Sequence, residues 1–328
     1  MKLFILISAL VVVASASLSK HFSDDEVTAQ FEKFKLDNSR IYASAAEETK
    51  RKAIFASNLD FIFTHNEEHL RGLHSFTVGV TPFADQTSAE FRVRRVFTPK
   101  NQNQNKTLKN KALPESVDWV AKGVVSPVQN QGQLGASWAF SSVAAVESSH
   151  AIQTGHLVKL SEAQLEDCCS PYNGTSGPYD NIFQCVIKLG GIDTEVSYPL
   201  PQGKCAYNPA TRGTGVYIYV DIPFGSEYDL QLNTALGGPV AVLIDASQQS
   251  FMLYTGGVYY EPACSSTVLD MAVAVVGYGV DAQSGAAFWK VKNSWGTGWG
   301  ESGYIRMARN RNNNCGIASA AVIPFDSK

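Results

Sequence analysis

The chain has 328 residues, 45% of them hydrophobic and 17% charged, and a net charge of −3. That length suggests two structural units on a prior of roughly 150 residues each, and the apolar share excludes global disorder. From Ala112 onward 11 Lys and Arg face 18 Asp and Glu, net −7, whereas the preceding part carries 16 against 12, net +4; the asymmetry favours docking of a basic leading part on an acidic body and gives no support for nucleic-acid binding.

The first 16 residues read as a signal peptide. Lys2 precedes an almost unbroken apolar run from Leu3 to Val13, and Ala14-Ser15-Ala16 supplies small residues for cleavage. No later stretch reaches the ~18 apolar residues of a membrane span. Passage through the secretory route makes disulfides permissible, so the six cysteines are expected to be bridges, with no metal and no cofactor implied. The sequons at Asn105 and Asn173 are candidate glycosylation sites in the same compartment.

Residues 17–111 form a leading segment that reads as helical. Ser23-Asp24-Asp25-Glu26 has the form of a capping box, and Val27, Phe31 and Phe34 follow at helical spacing. A longer helix begins near Ala46. Along it Glu47, Arg51, Phe55, Asn58, Ile62 and Asn66 fall on one face, and their polarity points to specific hydrogen bonding. Phe76, Val78 and Val80 alternate as a strand does. From Thr98 to Lys111 the composition is that of a linker open to proteolytic nicking.

Residues 112–328 change character. A helix is expected from Ser137 to Gly155, a second from a Ser161/Gln164 capping box to about Cys168, and a third over Tyr179–Leu189. Strands are expected over 240–244, 272–278, 288–292 and 304–308. Helices followed by strands indicate an α+β fold with a helical half facing a sheet half. No internal repeat is present.

At these residues the chain resembles a known family. The ladder Glu47-x3-Arg51-x2-Ile54-Phe55-x2-Asn58-x3-Ile62-x3-Asn66 is similar to the pro-segment signature of cathepsin L-like, papain-family cysteine peptidases. Gly79-x-Thr81-x-Phe83-x-Asp85 resembles the second pro-segment motif, with Thr81 in place of the usual Asn. Leu113-Pro114 through Trp119, Gln129-Asn130-Gln131-Gly132, Gly135 through Phe140, Asn293-Ser294-Trp295-Gly296 and Cys315-Gly316 resemble segments of the peptidase domain. The resemblance implies a two-domain fold, one helical and one barrel-like, with a cleft between them that its own pro-segment covers.

Carried over residue by residue, the resemblance puts Ser137 at the nucleophilic cysteine and Met271 at the histidine base. Gln131 matches the oxyanion-hole side chain, Asn293 the residue that orients the histidine, and Trp295 its shield. Papain-type chemistry needs a thiolate beside an imidazolium at a helix N-terminus. A hydroxyl could replace the thiol only with a general base, and a thioether is none. Of six histidines only His150 and His156 lie beyond residue 112, and His150 is 13 residues along the helix from Ser137, roughly 20 Å away. Trp138, Trp295 and Trp299 also read simply as core residues, and Met271 as filling the space of a ring.

The resemblance further implies bridges Cys168–Cys205 and Cys264–Cys315. A third family bridge is missing, with Leu134 at one end. Cys169 and Cys185 either form a replacement bridge or remain apart, Cys185 as a small hydrophobe. The implied specificity pocket comprises Gly177, Pro178, Tyr179, Leu243, Leu269, Ala272 and Ala320, with Trp295 nearby; Leu243 and Ala272 narrow it, which drift in an unused pocket would also produce. The expected protein is a monomeric, inactive homologue, extracellular or in a lysosome-like compartment. Its cleft would take peptides, a peptidase inhibitor or another protein. A weak hydrolase using Ser137, and a structural or storage protein, are the alternatives.

Overall fold

The computed structural model describes residues 19–91, 112–132, 136–169 and 178–326, with the side chains of Pro178 and Asp180 left aside. The expected signal peptide, the linker, Asn105, Asn173, Leu134 and Gly177 lie outside the described residues.

Two helices open the chain, α1 (Asp24–Asp37) and α2 (Ala45–Leu70). The Ser23/Glu26 capping box forms in both directions, and Val27, Phe31 and Phe34 pack against Phe55 of α2. Strand β1 (Phe76–Val78) and the short α3 (Ser88–Phe91) follow. The polar face of α2 binds the chain between them. Arg51 donates to the Asp85 carbonyl at 3.0 Å and to Glu90 at 3.0 Å. The Asn58 amide donates to the carbonyls of Ala84 and Gln86, at 2.7 and 3.0 Å. Asn66 closes a two-way pair with the Val78 backbone. These bonds satisfy an irregular segment that has no ladder of its own, which is why the face is polar.

After β2 (Val117–Asp118) come α4 (Ser137–Thr154), α5 (Glu162–Cys169) and α6 (Pro178–Leu189). Gly155 ends α4 at φ 78°, the left-handed position that favours glycine. Ser161 caps the Gln164 amide at 3.0 Å, but the expected reciprocal bond does not form. The Gln164 side chain instead holds the Gly191 carbonyl and the Asp193 amide, tying α5 to β3 (Ile192–Asp193).

The remainder is β4 (Arg212–Thr214), β5 (Val216–Asp221), α7 (Glu227–Leu236), β6 (Val240–Ile244), α8 (Gln249–Met252), β7 (Tyr254–Tyr259), β8 (Met271–Val280), β9 (Ala287–Lys292), β10 (Tyr304–Ala308) and β11 (Ala321–Asp326). The large sheet runs β1-β7-β10-β9-β8-β6-β11-β5, with β2 paired to β8. Gly277 permits that last pairing, because a Cβ there would lie 2.2 Å from the Val117 carbonyl oxygen. The α+β architecture is thus as expected, and β1 of the leading segment is an edge strand of the sheet, antiparallel to β7. Helix α4 packs between α5 and α6 on one side and β6, β8 and β11 on the other.

Three disulfides form: Cys168–Cys205, Cys264–Cys315 and Cys169–Cys185. The last joins α5 to α6 and resolves the open choice in favour of a bridge. Peptide mass spectrometry without reduction should recover all three pairs. The double substitution C169S/C185S opens a short loop and should cost about 2–4 kcal/mol in chemical denaturation; a loss below about 1 kcal/mol would mean that the bridge does not constrain the helical half.

Candidate active site

Helix α4 begins at the junction of the two halves. Its first turn carries no acidic residue, and Ala136 provides no side-chain cap, so the positive end of the helix is unneutralised there. Ser137 is the first residue, 3% exposed. Its hydroxyl oxygen accepts a hydrogen bond from the Ala272 amide at 3.3 Å. Among the described residues no imidazole or carboxylate bonds to that hydroxyl.

Ala272 is the second residue of β8 and Met271 the first. Met271 pairs with Ile244 of β6 and is fully buried in the sheet-half core with Val273, Phe251 and Trp295. Its thioether is therefore held by packing, not by polar partners. His150 lies far along α4, where its Nδ1 and Asp326 are 2.7 Å apart; His156 is exposed beyond the helix. Neither reaches Ser137, as the helical rise requires.

Asn293 follows β9. Its Oδ1 accepts from the Ser294 amide at 2.8 Å, but its Nδ2 is buried without a hydrogen-bond partner. A buried unpaired amide costs about 1–3 kcal/mol. Gln131 is likewise buried; its Oε1 accepts from the Ser294 hydroxyl at 2.5 Å and its backbone amide donates to the Ser294 carbonyl at 2.8 Å. Ser294 thus fixes the Gln131 side chain with its carbonyl end turned inward. A cavity of about 10 Å³ lies beside Asn293, between Phe140, Ser141, Ala272 and Lys292. It is too small for any substrate group.

The structure brings Tyr179, Leu243, Leu269 and Ala272 into one buried cluster with Ala136 and Trp138, and Ala320 packs against it. Leu243 and Ala272 face each other across β6 and β8. Tyr179 reaches from α6 to donate to the Val242 carbonyl at 2.8 Å, and its hydroxyl and that of Ser141 are 2.9 Å apart. Trp295 stands apart from this cluster. It packs edge-on against Phe83 and Phe91 of the leading segment and against Phe251 and Trp299.

A buried polar network behind the site went unread in the sequence. Lys292 Nζ donates to Ser126 Oγ at 3.0 Å, and Ser126 donates to Glu147 at 2.5 Å. Glu147 also receives Lys159 at 2.9 Å, which pairs with Glu162 at 2.7 Å. Burial brings the Lys292 ammonium down to about 8. The chain of bonds links β9 to α4 and α5 and so sets how the halves meet. Its one sequence signal was Glu147, a lone carboxylate inside α4 among small and apolar residues.

Residues 113–325 match the model for papain family cysteine proteases, and residues 31–91 match the cathepsin propeptide inhibitor domain. The chain is 45% identical over 303 residues to digestive cysteine proteinase 1 of Homarus americanus, covering 90% of this chain and 94% of that one. It is 43% identical to cathepsin L of Sarcophaga peregrina, covering 92% and 93%. Among solved structures, digestive procathepsin L2 proteinase from the Tenebrio molitor larval midgut superposes with a TM-score of 0.82 at 40% identity, covering 91% of this chain and 99% of that chain. The chain belongs to the papain family of cysteine proteases, in its cathepsin L-like branch, and carries the family's inhibitory pro-segment.

Proposed function

We propose that this chain is a non-peptidase member of its family, made through the secretory pathway for an extracellular or lysosome-like compartment, whose cleft binds polypeptide without cutting it. In this reading Ser137 occupies the nucleophile position and Met271 the base position. The observation that carries it is the environment of Ser137: a buried hydroxyl whose oxygen accepts from the Ala272 amide, with the fully buried Met271 the residue before Ala272 in the chain.

The chemistry follows from those two side chains. A thiol at a helix N-terminus is deprotonated by the helix field and an adjacent imidazolium. A hydroxyl is far less acidic and needs a base within hydrogen-bond reach, about 3 Å, to become a nucleophile. Met271 can neither take the proton nor return it to a leaving amine. Loss of a comparable catalytic unit costs on the order of 10⁶ in turnover. The unpaired Asn293 Nδ2 fits the same reading, since an orienting amide without its ring is left with a donor to spare. Gln131 remains held as a potential oxyanion donor, so transition-state stabilisation alone would persist at a low level.

A binding role is supported by what is retained. The pro-segment still docks through β1, Phe83 and Phe91, and the junction between the halves is tied by the Lys292 network. The ligand class that fits such a junction is an extended peptide or a protein loop, including one from an inhibitor directed at active relatives.

The protein freed of its pro-segment by an added protease should show no peptide hydrolysis above background between about pH 4 and about pH 8. S137C alone and M271H alone should each give little. Together they should exceed either single change by at least about 100-fold, in a thiol-reagent-sensitive way, because acid–base catalysis contributes on that scale. Hydrolysis by the wild type that S137A abolishes would sink the reading. Separately, M271A should lower stability by about 2–5 kcal/mol in urea unfolding, as for a packed core methionine; a loss under about 1 kcal/mol would show that Met271 is not a packing residue.

A further inference from the structure

Away from Ser137, a cavity of about 380 Å³ opens at the seam between the pro-segment and the sheet half. One wall is α2, bearing Phe61, His65 and Glu68; the other is the sheet half, bearing Gln248, Gln249 and Glu261. Neither wall forms the cavity alone, and no Lys or Arg lines it. Its volume is that of a small-molecule site.

The polar groups of the two walls have spent their donors elsewhere. Gln249 Nε2 donates to Asn58 at 2.7 Å and Gln248 Nε2 to the Ala263 carbonyl at 3.3 Å; neither side-chain oxygen has a partner among the described residues. His65 is 5% exposed, and its Nε2 lies 3.2 Å from the Phe76 carbonyl oxygen. That carbonyl requires the hydrogen on Nε2, which leaves Nδ1 with a lone pair and no partner among the described residues. A buried acceptor without a donor is costly, and this one belongs to a ring that lines the cavity. Glu261 accepts from Ser250 at 2.8 Å and from the Ala263 amide at 3.1 Å, but among the described residues no Lys or Arg pairs with it. Glu68 meets His74 Nε2 at 3.0 Å, and its one permanent cation there is the exposed Arg71 at 3.9 Å. Phe61, whose ring lies 5.8 Å from that of His65 between centroids, adds an aromatic face of the kind that attracts a cation.

We propose that this cavity binds a linear aliphatic diammonium ion, with one ammonium at Glu68 of the pro-segment and the other at Glu261 of the sheet half. An ammonium carries three donors and no acceptor, which suits walls whose spare groups are acceptors. Its charge answers two carboxylates that no Lys or Arg of the walls balances. The methylene stem between the two heads is matched by Phe61. A single partly exposed carboxylate–ammonium pair gains little. Two heads on one stem make the second contact intramolecular, and the affinity comes from that. Because the carboxylates belong to opposite walls, the bound ion fastens the pro-segment to the sheet half, and undocking dismantles the site. The ion therefore stabilises the docked form by mass action. Neither Ser137 nor Met271 takes part, so the cavity serves a cutting and a non-cutting protein alike.

Titration calorimetry of the intact protein with putrescine and with cadaverine tests the site at about pH 7.5, where His65, its proton affinity lowered by burial, is neutral. One of the two diamines should bind at least about tenfold tighter than butylamine at equal ionic strength. E68Q and E261Q should each weaken that binding at least about tenfold. Thr64 also lines the cavity, four residues before Glu68 on α2; T64K sets an ammonium there and should abolish diamine binding. The Gly79 and Val258 amides are bonded to the Leu253 and Ser75 carbonyls across the seam. At a diamine concentration about 100 times Kd their hydrogen exchange should slow by up to ~100-fold, and T64K should slow it without ligand. Equal affinity for butylamine, or diamine binding unchanged in both E68Q and T64K, would overturn the site as general charge attraction. Binding retained after an added protease has removed the pro-segment would overturn the bridge between the walls. A Lys-Lys peptide that binds tighter than either diamine, with the same dependence on both carboxylates, would overturn a free ion in favour of a protein ligand.

Discussion

The hydrogen bond from the Ala272 amide to the Ser137 hydroxyl spans the seam between the N-terminus of α4 and the start of β8. The two halves of the domain meet along that seam, and the residues around it must satisfy both a core and a site. Leu243, Ala272 and Tyr179 pack into one cluster there, and Met271 points into the other. The Lys292–Ser126–Glu147–Lys159–Glu162 chain braces the same junction from behind. Breaking one member of such a buried set strands a charge, at a cost of several kcal/mol. On the proposed reading, the geometry of the centre is held by packing and by the buried ions, not by the nucleophile.

The pro-segment obeys the same logic from outside. Its backbone between β1 and α3 has little regular structure, and side chains of α2 satisfy it instead. Asn58 is the clearest case, since it also receives Gln249 of the sheet half at 2.7 Å and so joins inhibitor to domain. Thr81 donates to the Met252 carbonyl at 3.0 Å, a bond its hydroxyl makes in a buried place. Docking therefore depends on directional bonds together with the aromatic contacts of Phe83 and Phe91 on Trp295 and of Phe76 on Tyr254 and Tyr259.

Much of this was legible in the sequence because it depends on local rules. The capping box at Ser23, the glycine stop at Gly155 and the apolar runs of β6 and β8 each announce an element by its own residues. Strands β5, β7 and β11 were not read. β5 is an edge strand with exposed Tyr217, Ile218 and Val220, β7 contains Gly256-Gly257, and β11 contains Pro324; each breaks the alternation that marks a strand. The candidate site was found through ordered motifs far apart in the chain. Its unpaired Asn293 amide, the bridge between Cys169 and Cys185, and the stacking of His65 on His74 are properties of three-dimensional neighbours, which spacing does not encode.

The central proposal is a cleft that holds polypeptide and leaves it whole. The most direct measurement follows a fluorescent peptide spanning residues 76–97 of the pro-segment, mixed with protein whose own pro-segment an added protease has removed. Polarisation reads binding, and chromatography of the same sample reads integrity. Saturable binding with the peptide intact after many dissociation lifetimes is the result the account predicts. Progressive cleavage of the peptide, lost when Ser137 is changed to Ala, would contradict it.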